Sequence, residues 1–211
     1  MHLDRSNPID AWQALPLPDA ALDWWPHWLA AAEADALFAA LHAGIAWENH
    51  ALTLYGRSVA APRLSAWIGD PQAVYTYSRR RFEPRPWTPL LAELRDRVAR
   101  ACAARFNSVL VNLYRDGADA MGWHSDDEPE LGPAPLIASL SLGAERVFAL
   151  RARRPCGMPA AAPLRLVLPH GSLLRMAGDT QRRYLHALPR TRRPVGARIN
   201  LTFRWIESPR P

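Results

Sequence analysis

Apolar residues recur at helical spacing in two stretches of the N-terminal half of the chain and alternate with polar ones through most of the C-terminal half. The first stretch predicts a helix from about Ala30 to Ala43, with Leu37, Phe38 and Leu41 on one face and Gly44 as the stop. The second opens with Thr88 as cap and Pro89 at the first helical position, then sets Leu90, Leu91, Leu94, Val98 and Ala101 on one stripe. Both read as amphipathic helices laid on a sheet. Strands are predicted over Ser108–Tyr114, Leu136–Leu142, Arg146–Arg151, Leu164–Leu168, Ser172–Met176 and Ala197–Ile206. Sequential strands without intervening helices favour an antiparallel double sheet over a doubly wound one, so the class is α+β with a jelly-roll core. The proline- and alanine-rich segment Ala152–Pro163 reads as an exposed loop, and Ala51–Pro86, with its aromatics and arginines, as a cover over the barrel mouth.

At 211 residues, 49% of them apolar, the chain is expected to form one domain with a real core. Residues 1–106 would supply helices and lid, and residues 107–206 the jelly roll. No apolar run is long enough to span a membrane and none follows a basic start, so a cytoplasmic protein is expected. Cys102 and Cys156 lie far apart without a CxxC pair and read as free thiols. The formal charge of +6 is carried by 26 basic residues, all of them arginine. A GC-rich genome accounts for much of this. The clusters Arg79–Arg81, Arg153–Arg154, Arg182–Arg183 and Arg190–Arg193 are also compatible with phosphate contacts.

The most specific chemistry is the pair His124 and Asp126. In an extended segment positions i and i+2 point the same way, so both could bind one ion while Ser125 faces elsewhere. A third ligand must come from another strand. His186 is the choice, shortly before the last strand; His170 competes, but its Pro169-His170-Gly171 context reads as a structural turn. Two imidazoles and one carboxylate can occupy one face of an octahedral iron and leave the opposite face open. In the last strand Arg198, Asn200, Thr202 and Arg204 alternate with Ile199, Leu201 and Phe203. Two guanidinium groups on one face, beside a candidate iron ligand, suit the carboxylates of a small diacid. Asn112 and Tyr114 share a face of an earlier strand and could complete that pocket.

With Asn112-Leu113-Tyr114, Gly122-Trp123-His124-Ser125-Asp126-Asp127-Glu128, His170-Gly171-Ser172-Leu173-Leu174, Tyr184-Leu185-His186 and the RxNxTxR strand Arg198–Arg204, the chain resembles the AlkB family of Fe(II)/2-oxoglutarate-dependent dioxygenases, most closely its DNA-repair branch. The resemblance implies a double-stranded β-helix under a nucleotide-recognition lid, with Fe(II), 2-oxoglutarate and O2 as cofactors. It makes His124, Asp126 and His186 the iron ligands. It pairs Arg198 with the distal carboxylate of 2-oxoglutarate, helped by Tyr114, and sets Arg204, Asn112 and Asn200 about the cosubstrate. The implied reaction hydroxylates the N-alkyl group of N1-methyladenine or N3-methylcytosine in DNA and releases succinate, CO2 and an aldehyde.

The same resemblance implies that the target base is flipped out of the helix. Tyr77 would stack on it against His124, Tyr75 would donate a hydrogen bond, and Asp127 and Glu128 would face its positive charge or serve as plain turn acids. Tyr55 aligns with the finger that fills the gap, and Arg57, Arg63 and Arg79–Arg81 would contact phosphates. RNA is the alternative substrate, since the pocket reads a base and not the sugar, and a catalytically silent binding module is the third reading. A monomer suits an enzyme that embraces a strand.

Overall fold

The computed structural model describes residues 11–54, 57–77, 80–153 and 162–207, with the backbone alone for 51–54, 57–58, 75–77 and 80–82. In chain order its elements are β1 (Gln13–Ala14), β2 (Ala21–Trp25), α1 (Ala31–Gly44), β3 (Ala51–Leu54), β4 (Arg57–Ala60), β5 (Leu64–Gly69), β6 (Tyr75–Tyr77), β7 (Arg80–Phe82) and α2 (Pro89–Cys102). There follow β8 (Ser108–Tyr114), β9 (Met121–His124), β10 (Ile137–Gly143), β11 (Arg146–Ala152), β12 (Leu164–Leu168), β13 (Ser172–Ala177), α3 (Thr180–Arg183), β14 (Tyr184–Leu188) and β15 (Arg198–Arg204).

Two antiparallel sheets face each other, with strand orders β1-β2-β13-β10-β15-β8-β5 and β12-β11-β14-β9. This is the expected jelly roll. The larger sheet carries α1 and α2 on its outer face. Leu37 and Leu41 of α1, with Leu91, Leu94 and Val98 of α2, pack there on Val109, Val111, Leu140, Leu142, Ile199, Leu201 and Phe203. Those strand residues alternate with polar ones, so the same strands present a second, polar face to the space between the sheets. A smaller apolar cluster, with Phe148, Leu150, Leu166 and Leu168 from the small sheet and Leu174 and Met176 from the large one, joins the two sheets.

The helices begin as their sequences dictate. The Thr88 hydroxyl accepts from the Leu91 N–H at 3.3 Å, Pro89 occupies the first turn, and Ala103 closes α2 in the left-handed region at φ +50°. The buried stripe of α2 is Leu91, Leu94, Val98 and Cys102, so Cys102 ends the stripe in the place expected of Ala101. At the turn that carries the chain from β10 in the large sheet to β11 in the small one, Gly143 has φ +84°, and a Cβ there would lie 2.4 Å from the Ala197 carbonyl oxygen.

The N-terminal half differs from expectation in one respect. β5 does not cover the barrel mouth; it is an edge strand of the large sheet, paired with β8 from Leu64↔Leu113 to Gly69↔Ser108. Ala66, Trp67 and Ile68 are all buried there, which makes it core and not lid. β2 likewise extends the sheet beyond β13. The hairpins β3–β4 and β6–β7 remain as small separate ribbons. Most of the loop expected over Ala152–Pro163 lies outside the described residues, as do Tyr55, Arg79 and Cys156. Among the described residues no helix is long and apolar enough to cross a membrane.

Candidate active site

The polar space between the sheets is lined by β8, β9, β10, β14 and β15. His124 and Asp126 stand at and just past the end of β9, and β14 pairs with β9 so that His186 lies directly opposite His124. The register slips between His186 and Leu188, an irregularity that separates the metal-facing end of the pair from the rest of the ladder. One nitrogen from each imidazole and one carboxylate oxygen all lie within 4.8 Å of one another. The rings are 4.2 Å apart at 63°, and His186 Nε2 is 3.9 Å from Asp126 Oδ2.

Each side chain is held in a ligating state. His124 Nδ1 donates to the Gly122 carbonyl at 2.8 Å, which fixes the tautomer and leaves Nε2 as a free lone pair. Burial lowers the His124 pKa, and burial together with the charges of His124 and Arg204 takes His186 down to about 3, so both rings are neutral at physiological pH. Burial alone would raise the Asp126 pKa. Arg204, by its charge and its hydrogen bond, outweighs it and holds the carboxyl below its ordinary range. Arg204 Nη2 donates to Asp126 Oδ1 at 2.7 Å, leaving Oδ2 turned toward His186. Two neutral imidazoles and one ionised carboxylate are the donor set a divalent iron of the facial type requires, and the residues fit it.

Behind this cluster Arg198 is 2% exposed, donates from Nη2 to Ser141 Oγ at 2.9 Å and lies 5.5 Å from the Tyr114 ring centroid. No acidic side chain among the described residues pairs with it, and burial lowers its pKa to about 10. A buried cation with Ser141 and Tyr114 around it and no counter-charge is a seat for an anion.

Most predicted positions thus converge, and the exceptions are specific. All seven residues of β15 are buried, so its polar face is internal and not solvated. Asn200 lines the cavity, but its Nδ2 is engaged by Ser139 Oγ at 2.8 Å and the Leu140 carbonyl, and its Oδ1 accepts from Thr202. Asn112 Oδ1 accepts from Arg63 Nε at 3.0 Å, and Arg63 is 7% exposed. The expected phosphate contact by Arg63 is therefore replaced by a buried role, because the chain turns inward ahead of β5. Asp127 is exposed and pairs with Arg153 at 2.5 Å; Arg153 also bonds Ser125 Oγ. Glu128 is half-buried at the start of the 3-10 turn Pro129–Leu131. Tyr75 and Tyr77 lie on β6, and their side chains, with all of Tyr55, fall outside what is described. His170 accepts from the Gly143 N–H at 2.7 Å and sits 3.2 Å from Asp35, as a structural turn residue should. Ser139 and Ser141 escaped the sequence reading, although their alternation with Leu140 and Leu142 placed them on the β15 side of the pocket.

A double-stranded β-helix whose mouth holds two neutral imidazoles and a carboxylate above a buried arginine is the architecture of a non-haem iron oxygenase, and the profile of the 2OG-Fe(II) oxygenase superfamily matches residues 21–204. Within that superfamily the chain belongs to the AlkB family, and the cofactors implied by membership are Fe(II), 2-oxoglutarate and O2. It is 41% identical over 181 residues to the mouse DNA oxidative demethylase ALKBH2, covering 83% of this chain and 76% of that one. Identity to human ALKBH2 is 40% over 83% of this chain and 69% of the relative. To bovine alpha-ketoglutarate-dependent dioxygenase alkB homolog 3 it is 40%, over 82% of this chain and 62% of the relative. The solved structure of OsALKBH1 superposes with a TM-score of 0.58 at 16% identity, covering 90% of this chain and 99% of that one, a likeness of fold.

Proposed function

We propose that the protein is an oxidative demethylase that removes N-alkyl groups from bases such as N1-methyladenine and N3-methylcytosine in DNA. The observation that carries the cosubstrate half of this reading is Arg198, buried in the cavity that Asp126, His124 and His186 also line, with no acidic partner among the described residues. The identity to relatives named DNA oxidative demethylase supports the substrate half.

In this reading His124, Asp126 and His186 would hold Fe(II), which when bound would supply the oxidising chemistry, with O2 and 2-oxoglutarate, for hydroxylation of an alkyl carbon. The chain's own residues do the placing. Arg198, with Ser141 and Tyr114, binds the distal carboxylate; Arg204 keeps Asp126 ionised and turned, and Asn112, steadied by Arg63, flanks the other end. Leu110, Phe148 and Met176 form apolar wall and exclude water. Tyr55, Tyr75 and Tyr77 grip the extruded base from the lid, with Asp127 and Glu128 facing its charge, and unpairing costs least at a lesion that already pairs badly. The arginine-rich surface supplies salt-dependent affinity for the strand. The enzyme works as a cytoplasmic monomer built as one domain, with residues 107–206 carrying most of the catalytic core and β2 and β5 completing its large sheet.

The test is a mass measurement. Anaerobically iron-loaded protein is given 2-oxoglutarate, ascorbate, O2 and matched DNA and RNA oligonucleotides with one N1-methyladenine. Loss of one methylene mass from DNA, dependent on 2-oxoglutarate and abolished in His124→Ala, is expected. Change in RNA alone would replace the substrate assignment, and turnover of 2-oxoglutarate with neither strand changed would refute it.

A further inference from the structure

Asp126 is gripped from two sides, and its side chain accounts for only one of them. Its backbone N–H donates to Gln181 Oε1 at 3.0 Å. Gln181 is 1% exposed, and its Nε2 points to the Met176 sulfur at 3.5 Å. The amide therefore ties three segments together: the turn after β9 that carries the carboxylate, the end of β13 in the large sheet, and α3, which leads directly into β14 and His186.

The support under Gln181 is rigid. The neighbouring Thr180, 1% exposed, donates to the Ala177 carbonyl at 2.6 Å and accepts from the Ala21 N–H at 3.1 Å, which pins α3 to β13 and β2. β9, by contrast, is an edge strand with one neighbour and an irregular register, and Asp126 lies two residues past its end. Ladder hydrogen bonds do not reach the carboxylate, so something else must set its backbone. Only an acceptor satisfies a backbone N–H, so the carbonyl oxygen of Gln181 must face Asp126 and the NH2 must face Met176.

We infer that Gln181 is a positioning residue for the metal site: it presets the backbone of Asp126 before any ion is bound, so that the carboxylate already stands in register with His186. The inference rests on Asp126 being a metal ligand. Arg204 orients the carboxylate about its own bonds, and Gln181 fixes where those bonds begin. Partners that orient ligands in this indirect way typically change metal affinity by about 10- to 100-fold when removed.

The isosteric Gln181→Met loses the acceptor and keeps the volume. Co(II) is titrated into apo wild type and variant, followed by its visible d–d bands, with the melting temperature of each apo protein measured alongside. The expected result is a Co(II) Kd weakened about 10- to 100-fold with an altered band envelope. A lower melting temperature with wild-type Kd and spectrum would make Gln181 merely structural and overturn the inference. Amide exchange in the apo wild type does not depend on the variant folding: the Asp126 N–H should be protected before metal is added, and exchange at the rate of unstructured chain would overturn the inference independently. If Asp126→Ala abolishes Co(II) binding and Gln181→Met leaves it unchanged, the metal reading stands and this one falls. If wild type takes up no Co(II), both fall.

Discussion

Arg198→Met should make the apo protein more stable and its use of 2-oxoglutarate far worse. Burial lowers the Arg198 pKa from 12.5 to about 10. For a base, a folded pKa below the unfolded one means the charged form is disfavoured by folding. That cost is present in full at every pH below the folded pKa, and it is relieved only as the pH rises past about 10. At about 1.4 kcal/mol per pKa unit it amounts to roughly 3 kcal/mol at neutral pH. Methionine fills most of the volume and carries no charge, but it forfeits the hydrogen bond to Ser141 Oγ, worth about 1 kcal/mol. A net gain of about 2 kcal/mol follows, or roughly 4 to 8 °C in melting temperature for a chain of this size. The cosubstrate loses a charge-assisted, forked contact worth about 3 kcal/mol, which predicts a KM for 2-oxoglutarate raised by about 100-fold. Thermal denaturation of metal-free protein and initial rates against 2-oxoglutarate concentration give the two numbers. A variant that melts lower while its KM is unchanged would refute the account of Arg198 as an uncompensated charge kept for an anion.

Phe203 is fully buried between the large sheet and the helices, where it packs against Phe106 at 6.0 Å, so Phe203→Ala should cost about 3 to 5 kcal/mol in urea unfolding; a loss under 1 kcal/mol would contradict its place in the core. Burial pushes the Cys102 thiol up to about 12, so at pH 8 iodoacetamide should leave the Cys102 peptide unmodified in native protein and modify it in urea, as read by peptide mass. The hydrogen bond from Arg115 to Asp119 holds that carboxyl below its ordinary range. Its contribution is present above the unfolded carboxyl pKa and is lost as pH falls through the folded one, so wild type should lose stability faster than Asp119→Asn between about pH 5 and pH 2. Parallel curves would remove Asp119 from the acid response.

Much of the fold was legible because its signals are local. A threonine followed by proline starts α2 whatever the rest of the chain does, and the alternation in β8, β10 and β15 states which residues share a face. The HxD spacing puts two ligands on one side of one strand end, and the polar residues of RxNxTxR do the same for the anion seat. Sequence therefore determined the class of fold, the first two ligands and the chemistry of the pocket.

Which faces meet was decided elsewhere. His186 stands across from His124, and His170 does not, because β14 pairs with β9 across more than 50 residues of chain while His170 is spent on the turn at Gly143. Arg63 reads as a surface cation until β5 pairs with β8 and carries it inward to Asn112. Gln181 has no motif at all; its meaning comes from α3 being packed where its amide reaches the Asp126 backbone. Period and capping are properties of neighbours in sequence, fixed by backbone geometry. Ligand geometry, the burial of Arg63 and Arg198 and the support of Asp126 depend on sheet register, and register is set only when strands far apart in the chain close on one another.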